Sequence, residues 1–176
     1  MVRKMLCSAP REWKLMLAER KTRKQLRGQW MRNEAAFYQT YFQTMSTFCS
    51  KTPEELRQWY FKRYMPLMIQ VIRTNYKAVE WISRFIEVCR TQNIKLVVLS
   101  DYGHVAEKLN ALNLDTELFD WVISAPELGG LKPAPQILEK VIEQMGINAD
   151  HCLIIGDRND TDGELAQIGG ANFFLV

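Results

Sequence analysis

The feature that most constrains the fold is a regular alternation of short apolar runs and amphipathic helical patterns after residue 77. The runs span four to six residues, which predicts short strands, and the continuous apolar run Lys95–Ser100 predicts a strand that is buried on both sides. Strands linked through helices form parallel sheets with right-handed crossovers. The sequence therefore predicts an α/β fold. The predicted strands are Lys95–Ser100, Trp121–Ser124, Cys152–Gly156 and Asn172–Val176; the predicted helices are Ala78–Gln92, Val105–Leu112, Ala134–Met145 and Glu164–Ile168.

Residues 1–76 have a different pattern, with many Lys, Arg, Gln, Glu, Met and Leu residues, one glycine and no strand-like alternation. Apolar residues between Phe37 and Met45 recur at spacings of three and four, which predicts an amphipathic helix. Thr52 and Glu55 predict the capping box of another helix, which Pro66 is expected to kink or end. We therefore expect a helical region over 1–76 and an α/β region over 77–176.

Charge is distributed unevenly between these two regions. Residues 1–76 hold 15 Lys/Arg and 5 Asp/Glu, a net charge of +10, whereas residues 77–176 hold 8 and 15, a net charge of −7. A basic region can bind nucleic acid, cover an anionic substrate or simply be a solvated helical face. The basic cluster Arg20–Arg27 lies in no recognised nucleic-acid fold, so nucleic-acid binding is the weakest of the three interpretations.

Composition also bears on location and on metals. No apolar run approaches the ~20 residues of a membrane span, and the N-terminal apolar stretch is too short for a signal peptide. We therefore predict a cytoplasmic protein without a membrane partner. The four cysteines are far apart and only two histidines are present, which argues against a zinc site. The cysteines are expected to be reduced and mostly buried.

Polar residues follow three of the predicted strands, and ligands bind at the carboxyl ends of parallel strands. Ser100 ends the first strand, Lys132 follows the second, and Asp157 ends the third. A hydroxyl and an ammonium can donate to phosphate oxygens, and Asp157 with Asp162 could hold Mg²⁺. Each residue alone is common in turns and caps, but the ordered set is specific.

That ordered set resembles the haloacid dehalogenase-like (HAD) hydrolase family, in its phosphoglycolate-phosphatase-like branch. Leu96–Asp101 resembles the second family motif, an apolar strand that ends in Ser or Thr. Phe119–Pro135 is similar to the stretch that bears the motif-three lysine, here Lys132. Cys152–Asp162 resembles the fourth motif, with its acidic residues at Asp157 and Asp162. One difference is Asp101, which stands where the family usually has Asn.

The resemblance implies a Rossmann-like parallel sheet with an N-terminal helical cap at residues 1–76. It implies a Mg²⁺-dependent phosphatase that acts on a small phosphorylated metabolite. Ser100 and Lys132 would be catalytic and, together with Asp101, would bind phosphate. Asp157 and Asp162 would bind Mg²⁺.

The family opens with a strand that ends in Asp-x-Asp, whose first aspartate is the nucleophile. This chain has no aspartate before Asp101, and its single Asp-x-Asp, at 160–162, lies beyond the end of its strand. We therefore expect a core without its first strand and impaired catalysis. The alternative is a non-catalytic phospho-ligand-binding protein or a truncated relic. Without that central strand, its two neighbours would either pair directly or leave unpaired edges that favour self-association.

Overall fold

A computed structural model gives the structure of the protein and describes residues 4–5 and 9–176. Helices and strands alternate after residue 81 as the sequence predicts. Short 3₁₀ turns cover Pro10–Glu12, Thr116–Leu118 and Ala149–His151. Two π-helical turns cover Tyr60–Tyr64 and Asn159–Gly163. The α-helices and strands are α1 (Trp13–Leu26), α2 (Glu34–Ser46), α3 (Pro53–Trp59), α4 (Met65–Asn75), α5 (Ile82–Thr91), β1 (Val97–Ser100), α6 (Val105–Ala111), β2 (Trp121–Ser124), α7 (Pro135–Met145), β3 (Leu153–Gly156), α8 (Glu164–Gly169) and β4 (Asn172–Leu175).

The N-terminal helices follow their sequence signals closely. The apolar stripe of α2 is buried along its whole length from Phe37 to Met45. At the start of α3, the Glu55 amide donates to Thr52 Oγ1 over 3.3 Å, and the Thr52 amide donates to Glu55 Oε2 over 2.9 Å. Hydrogen bonds from Lys51 and then from Thr52 lower the pKa of Glu55 to about 2. The predicted capping box is therefore present.

Pro66 neither ends the helix nor leaves it regular. A π-helical turn at Tyr60–Tyr64 joins α3 to α4, and Pro66 occupies the first turn of α4. Proline has no N–H and its ring crowds the carbonyl four residues back, so a regular α-helical bond pattern cannot pass through it. The wider turn accommodates this residue, because π-type bonding shifts the hydrogen-bond register.

The strands form two separate two-stranded sheets, β1 with β2 and β3 with β4, and both pairs are parallel. The prediction of parallel strands is thus confirmed. The expectation that Lys95–Ser100 is buried on both sides is wrong, because all four residues of β1 are half-buried. Apolar composition shows what a strand can bury, whereas coverage depends on the elements packed against it. The predicted self-association through strand edges stays a prediction.

The chain divides into two compact units. The first comprises residues 1–22 and 42–124, and the second comprises 23–41 and 125–176. The first unit therefore contains β1 and β2, and the second contains β3 and β4. These units do not divide the chain at residue 76, so the boundary between a cap and a core stays a prediction.

Two smaller predictions concern cysteines and membranes. Cys49, Cys89 and Cys152 are free thiols; Cys89 is buried and the other two are half-buried, while Cys7 lies outside the described residues. Burial raises the pKa of the Cys152 thiol. Within residues 4–5 and 9–176, no helix combines the length and the hydropathy that crossing a bilayer requires.

Candidate functional site

The loop after β3 carries most of the predicted acidic residues. A π-helical turn at Asn159–Gly163 links the strand to α8, and the Asp162 amide donates to the Arg158 carbonyl over 2.8 Å. Asp157 is exposed, whereas Thr161 and Asp162 are buried. The two predicted metal ligands therefore lie in one loop but in different environments.

Asp162 forms an ion pair with Lys132. The Lys132 Nζ lies 2.6 Å from Asp162 Oδ1, and the side chains are only 13% and 9% exposed. Desolvating two charges is costly, and their attraction offsets that cost only when the geometry is good. The pair joins the loop before α7 to the loop after β3, so the structure brings together two residues that are 30 positions apart in sequence.

Gly156 makes room for this pair at the end of β3. A Cβ at this position would overlap the Asp162 carboxylate. Any side chain here would push Asp162 away from its present position, and buried carboxylates have little space to move. Packing against Asp162 therefore requires glycine at position 156, in addition to the turn propensity of the Gly-Asp sequence.

Two arginines pair with Asp160 and Glu164, which lie on either side of Asp162. Arg158 donates to both carboxylate oxygens of Asp160, over 3.0 and 2.7 Å. Arg27 binds the Asp160 carboxylate over 3.1 Å and Glu164 over 2.7 Å, and it also donates to the Asp160 carbonyl. Hydrogen bonding by Arg158 is the main reason why the pKa of Asp160 lies below its usual range.

The residues after Arg27 pair with the loop that leads to Lys132. Trp30 and Gly130 form an antiparallel bridge, and the Leu131 amide donates to the Gln29 carbonyl over 3.1 Å. The Gly28 amide donates to the Lys132 carbonyl over 3.3 Å. A Cβ at Gly130 would lie 2.6 Å from the Gln29 oxygen, so this approach depends on glycine.

Ser100 and Asp101 belong to the first unit. Ser100 Oγ accepts hydrogen bonds from Lys108 Nζ over 2.8 Å and from the Tyr102 amide over 3.2 Å. Lys108 also donates to the Tyr102 carbonyl over 2.9 Å. Both bonds use the oxygen as acceptor, so neither uses the Ser100 hydroxyl hydrogen. Asp101, the residue after Ser100, is half-buried.

The structure therefore brings together part of the predicted set. Lys132 and Asp162 are in direct contact, and Asp157 lies in the same loop as Asp162. Ser100 and Asp101 lie in the other compact unit. Their shared role with Lys132 stays a prediction.

Metal binding requires donors that face a common point. The described residues contain no cluster of three or more His, Cys, Asp or Glu side chains suited to a metal ion. Mg²⁺ is often held by one or two carboxylates together with water and ligand phosphate. Asp157 fits that chemistry because it is exposed. Asp162 is buried and one of its oxygens pairs with Lys132, and its role as a metal ligand stays a prediction.

Sequence reasoning missed three residues of this region. Arg27 was noted only within the basic cluster Arg20–Arg27, Gly156 only as the end of a predicted strand, and Lys108 was not singled out. Lys108 lies eight residues after Ser100, in the helix that follows the strand, and this spacing gives only a weak signal. Arg27 contacts residues 133 and 137 positions away, which no local pattern indicates.

Comparison with known proteins identifies a family. The model of the haloacid dehalogenase-like hydrolases matches residues 9–169. Haloacid dehalogenase-like hydrolase domain-containing protein 3 of Mus musculus is 28% identical over 102 residues, 57% of this chain and 40% of that protein. SUPPRESSOR OF QUENCHING 1, chloroplastic, of Arabidopsis thaliana is 32% identical over 71 residues, 39% of this chain and 7% of that protein. The chain thus spans less than half the length of both curated relatives.

Solved structures show the same fold. The HAD-hydrolase YfnB from Bacillus subtilis, described as bound to magnesium, has a TM-score of 0.64 at 14% identity and covers 99% of this chain and 78% of its own. A HAD phosphatase from Thermococcus onnurineus has a TM-score of 0.59 at 17% identity, with coverages of 81% and 77%. A predicted phosphoglycolate phosphatase from Haemophilus somnus has a TM-score of 0.59 at 16% identity, with coverages of 91% and 76%. On the family match and the shared fold, the chain belongs to the haloacid dehalogenase-like hydrolase family.

Proposed function

We propose that this chain binds the phosphate group of a small phosphorylated molecule, with Lys132 as the central cation. The observation that carries the proposal is the Lys132–Asp162 ion pair, which holds an ammonium with only 13% side-chain exposure at the loop after β2. A lysine ammonium is a compact charge that serves several oxygen acceptors at once. Its electrostatic attraction for phosphate is strengthened where water is scarce.

The proposed reaction class is phosphomonoester hydrolysis, as the family suggests. Covalent catalysis of this kind needs a carboxylate nucleophile, and the chain has no aspartate before Asp101. We therefore propose that these 176 residues bind phosphate and that hydrolysis requires a carboxylate nucleophile from outside them. A non-catalytic phospho-ligand-binding role is the second candidate, favoured by this same absence.

Magnesium is proposed to reach the site through Asp157. The supporting observation is the exposure of this carboxylate at the end of β3, beside the loop that carries Asp162. When bound, the metal would neutralise charge on ligand phosphate oxygens. Mg²⁺ should then tighten phosphate binding, and D157N should remove most of that gain.

Calorimetric titration of inorganic phosphate, with and without Mg²⁺, tests the binding proposal. We expect binding by the parent chain and a loss of roughly tenfold or more in affinity for K132M, since a charge-assisted hydrogen bond disappears. K24M is the matched control, because Lys24 is exposed on α1 of the same unit. Equal affinities for K132M and K24M, or no binding by the parent chain, would refute the proposal.

A panel of phosphomonoesters assayed with Mg²⁺ separates the two candidate functions. Binding without turnover above background supports the non-catalytic role. Turnover that disappears in both D157N and K132M supports the enzyme. S100A and D101N, assayed in the same way, test independently whether those two residues bind phosphate.

A further inference from the structure

Arg27 connects two parts of the acidic loop that contains Asp162. Its guanidinium binds the carboxylate and the carbonyl of Asp160, inside the π-helical turn, and the carboxylate of Glu164, in the first turn of α8. Asp162 lies between these two anchor points. Fixing both sides of a short turn limits the positions that the residue between them can adopt.

Gly28, the next residue along the chain, contacts the backbone of Lys132, the other member of the ion pair. The Gly28 amide donates to the Lys132 carbonyl, and the Trp30–Gly130 bridge continues this pairing. Arg27 and Gly28 are adjacent in sequence, so one short segment fastens the loop of Lys132 by its backbone and the loop of Asp162 by a side chain. The distance between the Lys132 and Asp162 charges therefore depends on the contacts made by residues 27–30.

Arg27 also reduces the repulsion among the carboxylates of residues 157–164. Residues 157–164 contain four carboxylates, which repel one another and would repel a phosphate. Lys132 pairs with Asp162, Arg158 with Asp160, and Arg27 with both Asp160 and Glu164. Without Arg27, Glu164 would lose the cation that the structure places beside it.

We infer that Arg27 is a positioning residue, which fixes the Asp162 loop against Lys132 and thereby sets the affinity for phosphate. This inference rests on the proposed function. An exposed ion pair without this role would contribute little, because such pairs are screened by solvent. Arg27 differs in having three acceptors in a forked arrangement, which lysine cannot reproduce.

Three variants test the inference by phosphate calorimetry and by amide hydrogen exchange. In R27Q we expect phosphate affinity to fall about tenfold, with faster exchange at Thr161, Asp162 and Gly163. R27K restores the charge but not the fork, so it should recover less than half of the loss. E164Q, which keeps Arg27 and removes the negative charge from one of its acceptors, should shift both readouts in the same direction by a smaller amount. It also serves as the test if R27Q fails to fold.

K24Q is the control, because it removes one positive charge from an exposed site three residues earlier. If R27Q and K24Q match in affinity and in exchange, the positioning role is refuted. Full recovery by R27K would also refute it, since charge alone would then be sufficient. A parent chain that binds no phosphate refutes the proposed function itself. If the parent chain binds phosphate and R27Q binds it equally well, only the role of Arg27 is refuted.

Discussion

The loops after β1 and β3 both place a polar group beside a lysine, but they differ in how that lysine is supplied. Ser100 is held by Lys108, eight residues later on the following helix. Asp162 is held by Lys132, 30 residues earlier on a different loop. The first contact is local and joins a charge to a neutral hydroxyl, whereas the second is long-range and joins two buried charges. Loss of a partner should therefore be tolerated at the first loop and costly at the second.

The largest expected effect is at Asp162. D162A leaves the Lys132 ammonium buried without its carboxylate, and breaking such a pair costs ~3–5 kcal/mol. We expect this loss in the free energy of unfolding from urea denaturation. E139A is the control, since Glu139 is exposed on α7. The double variant K132M/D162L should recover much of the stability while losing phosphate binding. A D162A chain as stable as E139A would show that the pair is not desolvated.

A smaller effect is expected at Lys108. K108M removes the hydrogen bonds that the ammonium donates to Ser100 Oγ and to the Tyr102 carbonyl. Because the side chain is only half-buried, the loss in the free energy of unfolding should be about 1–2 kcal/mol. Urea denaturation of K108M and of the double variant K108M/S100A would show whether the two residues are coupled. Additive effects of the two substitutions would mean that Lys108 does not orient Ser100.

The smallest expected effect is a change in how the free energy of unfolding depends on pH in the acidic range. Asp160 has a folded-state pKa below its ordinary value of 3.8, so its contribution is present above that value and is lost as the pH falls below it. D160N should therefore flatten the stability curve in this acidic range and leave stability near neutral pH almost unchanged. Thermal unfolding from pH 2 to 7 measures this. An unaltered pH dependence in D160N would contradict the pairing with Arg158.

The sequence predicted features that depend on short-range interactions and missed those that depend on long-range contacts. The capping box at Thr52 and the four strands were predicted well, because capping and strand patterning depend on residues close in sequence. Lys132 and Asp162 were selected by their positions after predicted strands and by resemblance to family motifs. Their pairing was not predicted, because Lys132 was expected to bind phosphate and Asp162 to bind Mg²⁺. The bridge between Trp30 and Gly130 is set by long-range packing and leaves no periodic signal.

Burial of the strands was the least predictable property. The composition of β1 and β4 is suited to full burial, but β1 is half-buried and Phe174 in β4 is 58% exposed. An apolar sequence fixes only the preference of a strand for burial. Whether a face is covered depends on the packing of other elements, and no local pattern contains that information.

The pairing of residues 27–30 with two loops more than 90 positions away has a consequence for biosynthesis. The ion pair and its supports cannot assemble on the ribosome until Glu164 has emerged from the exit tunnel, since Arg27 bonds to that residue. Closing loops of this length is slow compared with forming local helices. We therefore expect nascent chains that lack residues 130–164 to bind no phosphate, even when their N-terminal helices are already formed.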